Sequence, residues 1–215
     1  MESQGTLFQN RIDAGRKLAQ SLKSMNLENV VLLSLPRGGV VVANEIAQEL
    51  NLPLDVVISR KIGAPGHEEY GIGALSEDGV PQFNREVSRY YDFESPRIQD
   101  VVQKETHELK RRINLYRNGK ALPNFDGKTV IVIDDGLATG VTAVAAAKYL
   151  RTLHPRELIL AVPVGPDELS EAIAESYDEV ICLYALADLQ GVGLWYDDFG
   201  QVEDAEVVDI LKTYH

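Results

Sequence analysis

The sequence predicts an α/β fold, a parallel twisted sheet flanked by helices. Three observations carry that expectation. Short apolar runs alternate with helix-length segments, most regularly from Thr129 onward. Most of the runs are continuously apolar, the pattern of strands covered on both faces. Two runs end in glycine-containing turns that open helices, Pro36-Arg37-Gly38-Gly39 and Gly136-Leu137-Ala138-Thr139-Gly140. With 215 residues, 45% of them hydrophobic, the chain can bury one sizeable core. A single domain over 1–215 is expected, with its core at about 30–60 and 128–185, an insertion at about 61–125, and a hood from about 1–25 and 185–215.

Taken in order, Phe8 to Leu22 has helical spacing, with Phe8, Ile12, Leu18 and Leu22 as candidate buried positions. Val30 to Leu35 reads as a buried strand, broken by Pro36-Arg37-Gly38-Gly39. Val40 to Leu50 reads as a helix ended by Asn51 and Pro53, and Leu54 to Ser59 as a second strand. Arg60 to Gly73 holds four glycines and a proline and reads as a loop. Ile72 to Leu75 and Val80 to Phe83 read as short strands around a Glu77-Asp78-Gly79 turn. A long helix follows, with Ser95 as cap, Pro96 at its first position and Gly119 as its stop. Ile98, Val101, Val102, Leu109, Ile113 and Tyr116 form its apolar stripe, and Lys104, Lys110, Arg111, Arg112 and Arg117 a solvated basic face. Thereafter strands are expected at Thr129–Ile133, Leu158–Val162 and Val180–Tyr184, and helices at Thr139–Leu153 and Asp167–Glu175.

Composition narrows the function classes. No apolar run reaches transmembrane length, and the first residues lack the basic-then-apolar order of a secretory signal. A single cysteine, Cys182, excludes an internal disulfide and a cysteine-based metal cage, and its apolar neighbours suggest a buried structural thiol. These features suggest a cytoplasmic location. The formal net charge is −12, and residues 134–215 hold 16 acidic but 4 basic side chains. Such a half repels phosphates in bulk, so nucleic-acid partners are not expected.

The chemistry concentrates at Val130 to Ala143, VIVIDDGLATGVTA. In open parallel sheets, ligands bind beyond the carboxyl ends of the strands, where Asp134 and Asp135 lie. The turn after them leads into a helix N-terminus, whose unpaired N–H groups and dipole favour an anion. Glycines allow close backbone approach, and Thr139 and Thr142 add hydroxyl donors. Acceptors for hydroxyls beside donors for a phosphate suit a sugar phosphate: the carboxylates for a ribose diol, the turn for the 5′-phosphate. The plainer reading is a helix cap beside a surface acidic pair.

The string resembles the 5-phosphoribosyl pyrophosphate (PRPP) signature of type I phosphoribosyltransferases, and is similar to the Asp-Asp-x-x-Ala-Thr-Gly form seen in adenine phosphoribosyltransferases. The resemblance covers about residues 30–200 and implies a Rossmann-like α/β core. Together, Pro36-Arg37-Gly38-Gly39-Val40, Arg60-Lys61-Ile62-Gly63-Ala64-Pro65-Gly66-His67 and Ile133 to Gly140 look like a bacterial branch of that family whose substrate is undefined. It implies a pyrophosphate-binding loop at Arg37, Gly38 and Gly39, with a non-proline cis peptide between Pro36 and Arg37. It implies PRPP binding by Asp134, Asp135, Gly136, Leu137, Ala138, Thr139, Gly140 and Thr142. It also implies a mobile catalytic loop in which Arg60, Lys61 and His67 answer the charge developing on pyrophosphate.

Mg²⁺ is the cofactor implied, held by Asp134 and Asp135 directly or through water, with PRPP as co-substrate. The expected reaction is phosphoribosyl transfer to a nitrogenous acceptor, a nucleobase by preference. Ala138 stands where hypoxanthine-type relatives carry an acid, so that specificity does not carry over. Trp195, Tyr196 and Asp188 are the hood residues expected near a base, against the alternative that the aromatics are core packing. A homodimer is also implied. Two other readings stay open: a PRPP- or nucleotide-sensing regulator, and a hydrolase of a phosphoribosyl substrate.

Overall fold

The computed structural model describes residues 5–84, 87 and 89–215, with the side chain of Glu69 outside the description. Residues 1–4 of the expected hood thus lie outside the described residues. Helix α1 (Arg11–Leu22) starts at Asn10, whose side chain accepts from the Asp13 N–H at 3.0 Å. Its buried face is Ala14, Gly15, Leu18, Ala19 and Leu22. Ile12, expected inside, is 40% exposed, since it lies at the edge of the buried face in the first turn of the helix. Strand β1 (Val30–Ser34) feeds helix α2 (Gly38–Leu50), which ends at Asn51 with φ 52°. Gly15 lets α1 close on α2: a β-carbon there would sit 2.6 Å from the Val42 carbonyl oxygen. Strand β2 (Leu54–Val56) is shorter than expected, since beyond it the Ile58 N–H bonds to Glu77 instead of a strand neighbour.

The segment expected as a loop is two strands. β3 (Arg60–Ala64), β4 (His67–Leu75) and β5 (Pro81–Phe83) form a separate antiparallel sheet, here called the flap. Its glycines serve close packing. A β-carbon on Gly63 would lie 2.4 Å from the Glu68 carbonyl oxygen, and one on Gly73 2.5 Å from that of Gln82. Gly66, at φ +80°, makes the β3–β4 turn.

Helix α3 (Pro96–Arg117) begins after Ser95, whose side chain makes no capping bond, and ends at Asn118 with φ 52°. Ile98 packs under the flap with Ile62, Ala64, Ile72 and Leu75. The expectation of a solvated basic face fails for two of its five members. Arg112 and Arg117 are buried, Arg112 on Glu108 and Arg117 on Glu77, because the same face packs against the flap turn and the core.

β6 (Thr129–Ile133) runs into α4 (Val141–Arg151), which starts two residues later than expected because Gly140 holds φ +72°. β7 (Glu157–Pro166), α5 (Glu171–Ser176, capped by Ser170) and β8 (Glu179–Leu186) follow. Cys182 is half-buried on the edge strand, more open than expected, and burial pushes its thiol up to about 11. A short 3₁₀ turn (Val192–Trp195) and helix α6 (Asp204–Leu211) close the chain. No helix was expected at α6; its Val207 and Leu211 pack on Val40, Val41, Leu109 and Tyr116.

The parallel sheet has the order β2-β1-β6-β7-β8. Leu33, Val130, Val132 and Leu160 bury on the α4–α5 side, and Leu32, Ile131, Ile133 and Ile159 on the α1–α2 side. Alternate residues thus point to opposite faces that are both covered, which is why the strands read as unbroken apolar runs. β1 has β2 on one side and β6 on the other, and its outgoing connection turns away from that of β6. The sheet's topological switch point therefore lies between β1 and β6, where a crevice opens beyond the carboxyl ends.

Candidate functional site

Register brings the two turns to that crevice. Ser34 pairs with Ile133, so the residues after each stand side by side. The peptide between Pro36 and Arg37 is cis. Gly38 and Gly39 lie directly on the two aspartates. A β-carbon on Gly38 would fall 1.9 Å from Asp135 Oδ2, and one on Gly39 2.9 Å from Asp134 Cα. A side chain at Gly38 would displace Asp135, and one at Gly39 would press on backbone.

Both carboxylates are half-buried. The Asp135 N–H donates to Asp134 Oδ1 at 2.9 Å. Burial and the neighbouring carboxylate raise Asp134 well above the usual carboxylate range. Burial also raises Asp135, with the Arg11 guanidinium acting against the rise. That cation comes from α1, and its Nε donates to Asp135 Oδ2 at 2.7 Å. The Tyr196 hydroxyl donates to the Asp135 carbonyl oxygen at 2.5 Å.

The turn is anchored from below and open above. The Leu137 N–H donates to the Val164 carbonyl at 2.8 Å, and the Leu137 side chain is buried. Gly136 packs under Val192 and Gly140 under Ile173. Ala138 and Thr139 are exposed, and Thr142 is half-buried at the start of α4. The first amides of α4, which starts six residues after Asp135, have no carbonyl of their own helix to bond.

The flap separates its two expected cations, since neighbouring strand residues point to opposite faces. Arg60 is on the α3 side, with Nη2 2.7 Å from Glu105 Oε2. Lys61 is on the α4 side: a β-carbon on Gly71 would meet Lys61 Cδ at 3.2 Å and Val141 Cγ2 at 3.9 Å. Lys61 and Val141, the first residue of α4, thus both border Gly71. His67 is exposed at the start of β4. Arg37 is turned towards α6, its Nη1 3.6 Å from Glu203 Oε2.

The hood residues are largely consumed by packing. Trp195 and Tyr196 are buried with Phe8, Ala14 and Val164. The Trp195 Nε1–H donates to the Leu189 carbonyl at 3.0 Å. Asp188 is exposed and accepts from Gln190 at 2.7 Å. Phe199 belongs to the expected hood stretch 193–199 and packs there with Tyr196, whereas Arg11 and Val192 were not expected at the site; Arg11 is marked by no local pattern, because its partner is 124 positions away. Among the described residues, no group of three or more His, Cys, Asp or Glu side chains is placed to hold a metal. Among them too, no helix is long and apolar enough to cross a membrane.

Comparison with known proteins gives the site a context. A family model described as phosphoribosyl transferase domain matches residues 3–197. Proteins from two Mycobacterium tuberculosis strains, provisionally named phosphoribosyl transferases, are 42% identical over 209 residues, covering 97% of this chain. The chain spans 47% of their length, about half. The crystal structure of the TT1426 protein from Thermus thermophilus is 37% identical with a TM-score of 0.76, covering 96% of this chain and 98% of that one. The AQ2163 protein from Aquifex aeolicus, at 14% identity and a TM-score of 0.50 over 87% of this chain and 83% of that one, shares the fold.

Proposed function

The chain belongs to the phosphoribosyltransferase family, and from that premise we propose that it binds PRPP at the β6–α4 turn and transfers its phosphoribosyl group to a nitrogenous base. What carries the reading is the junction of a half-buried carboxylate pair with an open helix N-terminus, closed in by the turn at Gly38 and Gly39. Asp134 and Asp135 accept from the ribose hydroxyls. Thr139, Thr142 and the first amides of α4 hold the 5′-phosphate. The amides of Gly38 and Gly39 face the pyrophosphate.

The donor set fits Mg²⁺. Two hard carboxylate oxygen donors, with no cluster of three His, Cys, Asp or Glu side chains among the described residues, suit an ion that keeps its waters and takes further oxygens from the substrate. When bound, Mg²⁺ supplies charge neutralisation on the pyrophosphate. The C1–O bond to pyrophosphate breaks, the acceptor nitrogen bonds C1, and pyrophosphate leaves with the electron pair. Lys61 stabilises the departing charge from the α4 side of the flap. Arg60, tied to Glu105, holds the flap's other face. The flap excludes water from C1.

Titration calorimetry with PRPP and Mg²⁺ tests the reading. Wild type is expected to bind, the Asp134→Asn/Asp135→Asn variant to lose binding, and Lys61→Ala to bind but release pyrophosphate at least ~100-fold more slowly with a reactive base, as loss of one electrostatic donor does. A folded wild type that ignored PRPP would overturn the proposal. Binding without pyrophosphate release across a nucleobase panel would favour a sensing role.

A further inference from the structure

Arg11 stands outside every motif, yet it touches the centre of the site. It opens α1, and its side chain is 11% exposed. Nε donates to Asp135 Oδ2 at 2.7 Å, and Nη1 donates to the Gly200 carbonyl at 2.7 Å. The guanidinium carbon lies 3.8 Å from the centre of the Phe199 ring. Gly38 closes the box: the space its β-carbon would take is bounded by Asp135 Oδ2 and Arg11 Nε, at 1.9 and 2.7 Å.

A carboxylate so enclosed has little freedom. Turning Asp135 about its Cα–Cβ bond would break its charge-assisted bond to Arg11. Arginine suits the place because its planar fork bonds two acceptors while its face stacks on an aromatic. Lysine has neither the fork nor the stacking face. The two acceptors come from distant parts of the chain, the β6 end and the stretch before α6.

We propose that Arg11 is a positioning residue: it holds Asp135 in the orientation that a ribose hydroxyl needs and ties the 197–203 segment of the hood to that clamp. The first half rests on the phosphoribosyl reading above; the second does not. Arg11 acts through Asp135 and need not touch the substrate. Ordering the carboxylate during folding leaves less to order on binding.

The test is a double-mutant cycle of Arg11→Met and Asp135→Asn, read by calorimetry with PRPP and Mg²⁺ and by hydrogen exchange without ligand. Arg11→Met alone is expected to weaken binding by about 10- to 100-fold, the usual effect of losing a group that orients a ligating side chain. On the Asp135→Asn background it is expected to add little. Arg11→Lys should restore only part of the affinity. Without ligand, both single variants should raise exchange at 197–203 alike. Equal weakening on both backgrounds, or full affinity in Arg11→Met, would overturn the positioning role. Unchanged exchange in Asp135→Asn would overturn the tie to the hood. A wild type blind to PRPP would remove the ribose clamp and with it the first half, while the exchange result would still decide the second. If Arg11→Met does not fold, Arg11→Lys runs the same cycle.

Discussion

A β-carbon on Gly38 would press on side-chain atoms, Asp135 Oδ2 at 1.9 Å and Arg11 Nε at 2.7 Å, whereas one on Gly39 would press on backbone, Asp134 Cα and the Ile133 oxygen, each at 2.9 Å. Side-chain ends can swing away and a buried backbone cannot, so the same substitution has different effects at adjacent positions. Gly38→Ala is expected to keep most of the stability but displace Asp135 and weaken PRPP binding by tenfold or more, about 1.4 kcal/mol. Gly39→Ala is expected to cost about 1–3 kcal/mol of stability, as overpacking does. Thermal melts and calorimetry on both variants decide it; full affinity in Gly38→Ala would mean that the enclosed orientation of Asp135 is not needed. The glycines and aspartates could be found from sequence because each follows an apolar strand. Arg11 could not, since its acceptors are 124 and 189 positions away and helical spacing marks it only as polar. Nor does local sequence reveal that the polar atoms of Trp195 and Tyr196 are taken by backbone carbonyls.

Long helices and buried strands were legible because their apolar spacing is set by geometry; two other elements were not. The flap read as a loop because glycines that serve close packing look like glycines that serve turns. Had its pleat been recognised, the opposite facing of Arg60 and Lys61 would have followed. Helix α6 was missed because eight residues, several of them acidic, give a weak periodic signal. Its attachment is partly electrostatic. Arg111 joins Glu108 on its own helix to Asp204 at the start of α6, both at 2.7 Å, and the Tyr116 hydroxyl also donates to Asp204. Hydrogen bonds from Arg111, joined by Arg112, hold Glu108 down from its ordinary 4.5 to about 2. A depressed carboxyl contributes stability that is present above its unfolded value and is lost as pH falls through the folded one. Glu108→Gln should therefore melt below wild type at pH 7, by under about 1 kcal/mol since the pair is partly exposed. The gap should close as pH falls from 4.5 towards 2. A gap that persisted in acid would assign the effect to packing.

At the scale of the whole molecule, the sheet order makes a site of two motifs about a hundred residues apart. Strands β1 and β6 are neighbours in register, so whatever follows Ser34 must meet whatever follows Ile133. The hood is bound into the same structure from both chain ends. Phe8 pairs with Tyr196 across an isolated bridge, and the N–H groups of Leu7 and Phe8 donate to the Trp195 carbonyl at 2.9 and 3.0 Å. Beneath them Trp195 packs with Val164, a residue of β7. A hood that shares side chains with the central sheet should not unfold alone. The chain has one tryptophan, so fluorescence reports the hood, while far-UV circular dichroism reports the helices and strands at large. The two urea transitions of the 215-residue chain are expected to coincide in midpoint and slope, as for one cooperative unit. Tyr196, next to the probe, also bonds the Asp135 carbonyl at 2.5 Å, so PRPP with Mg²⁺ should move both transitions to higher urea together. If Trp195 changed first, the hood would be a separate cooperative unit, and ligand should then stabilise the sheet transition without the fluorescent one.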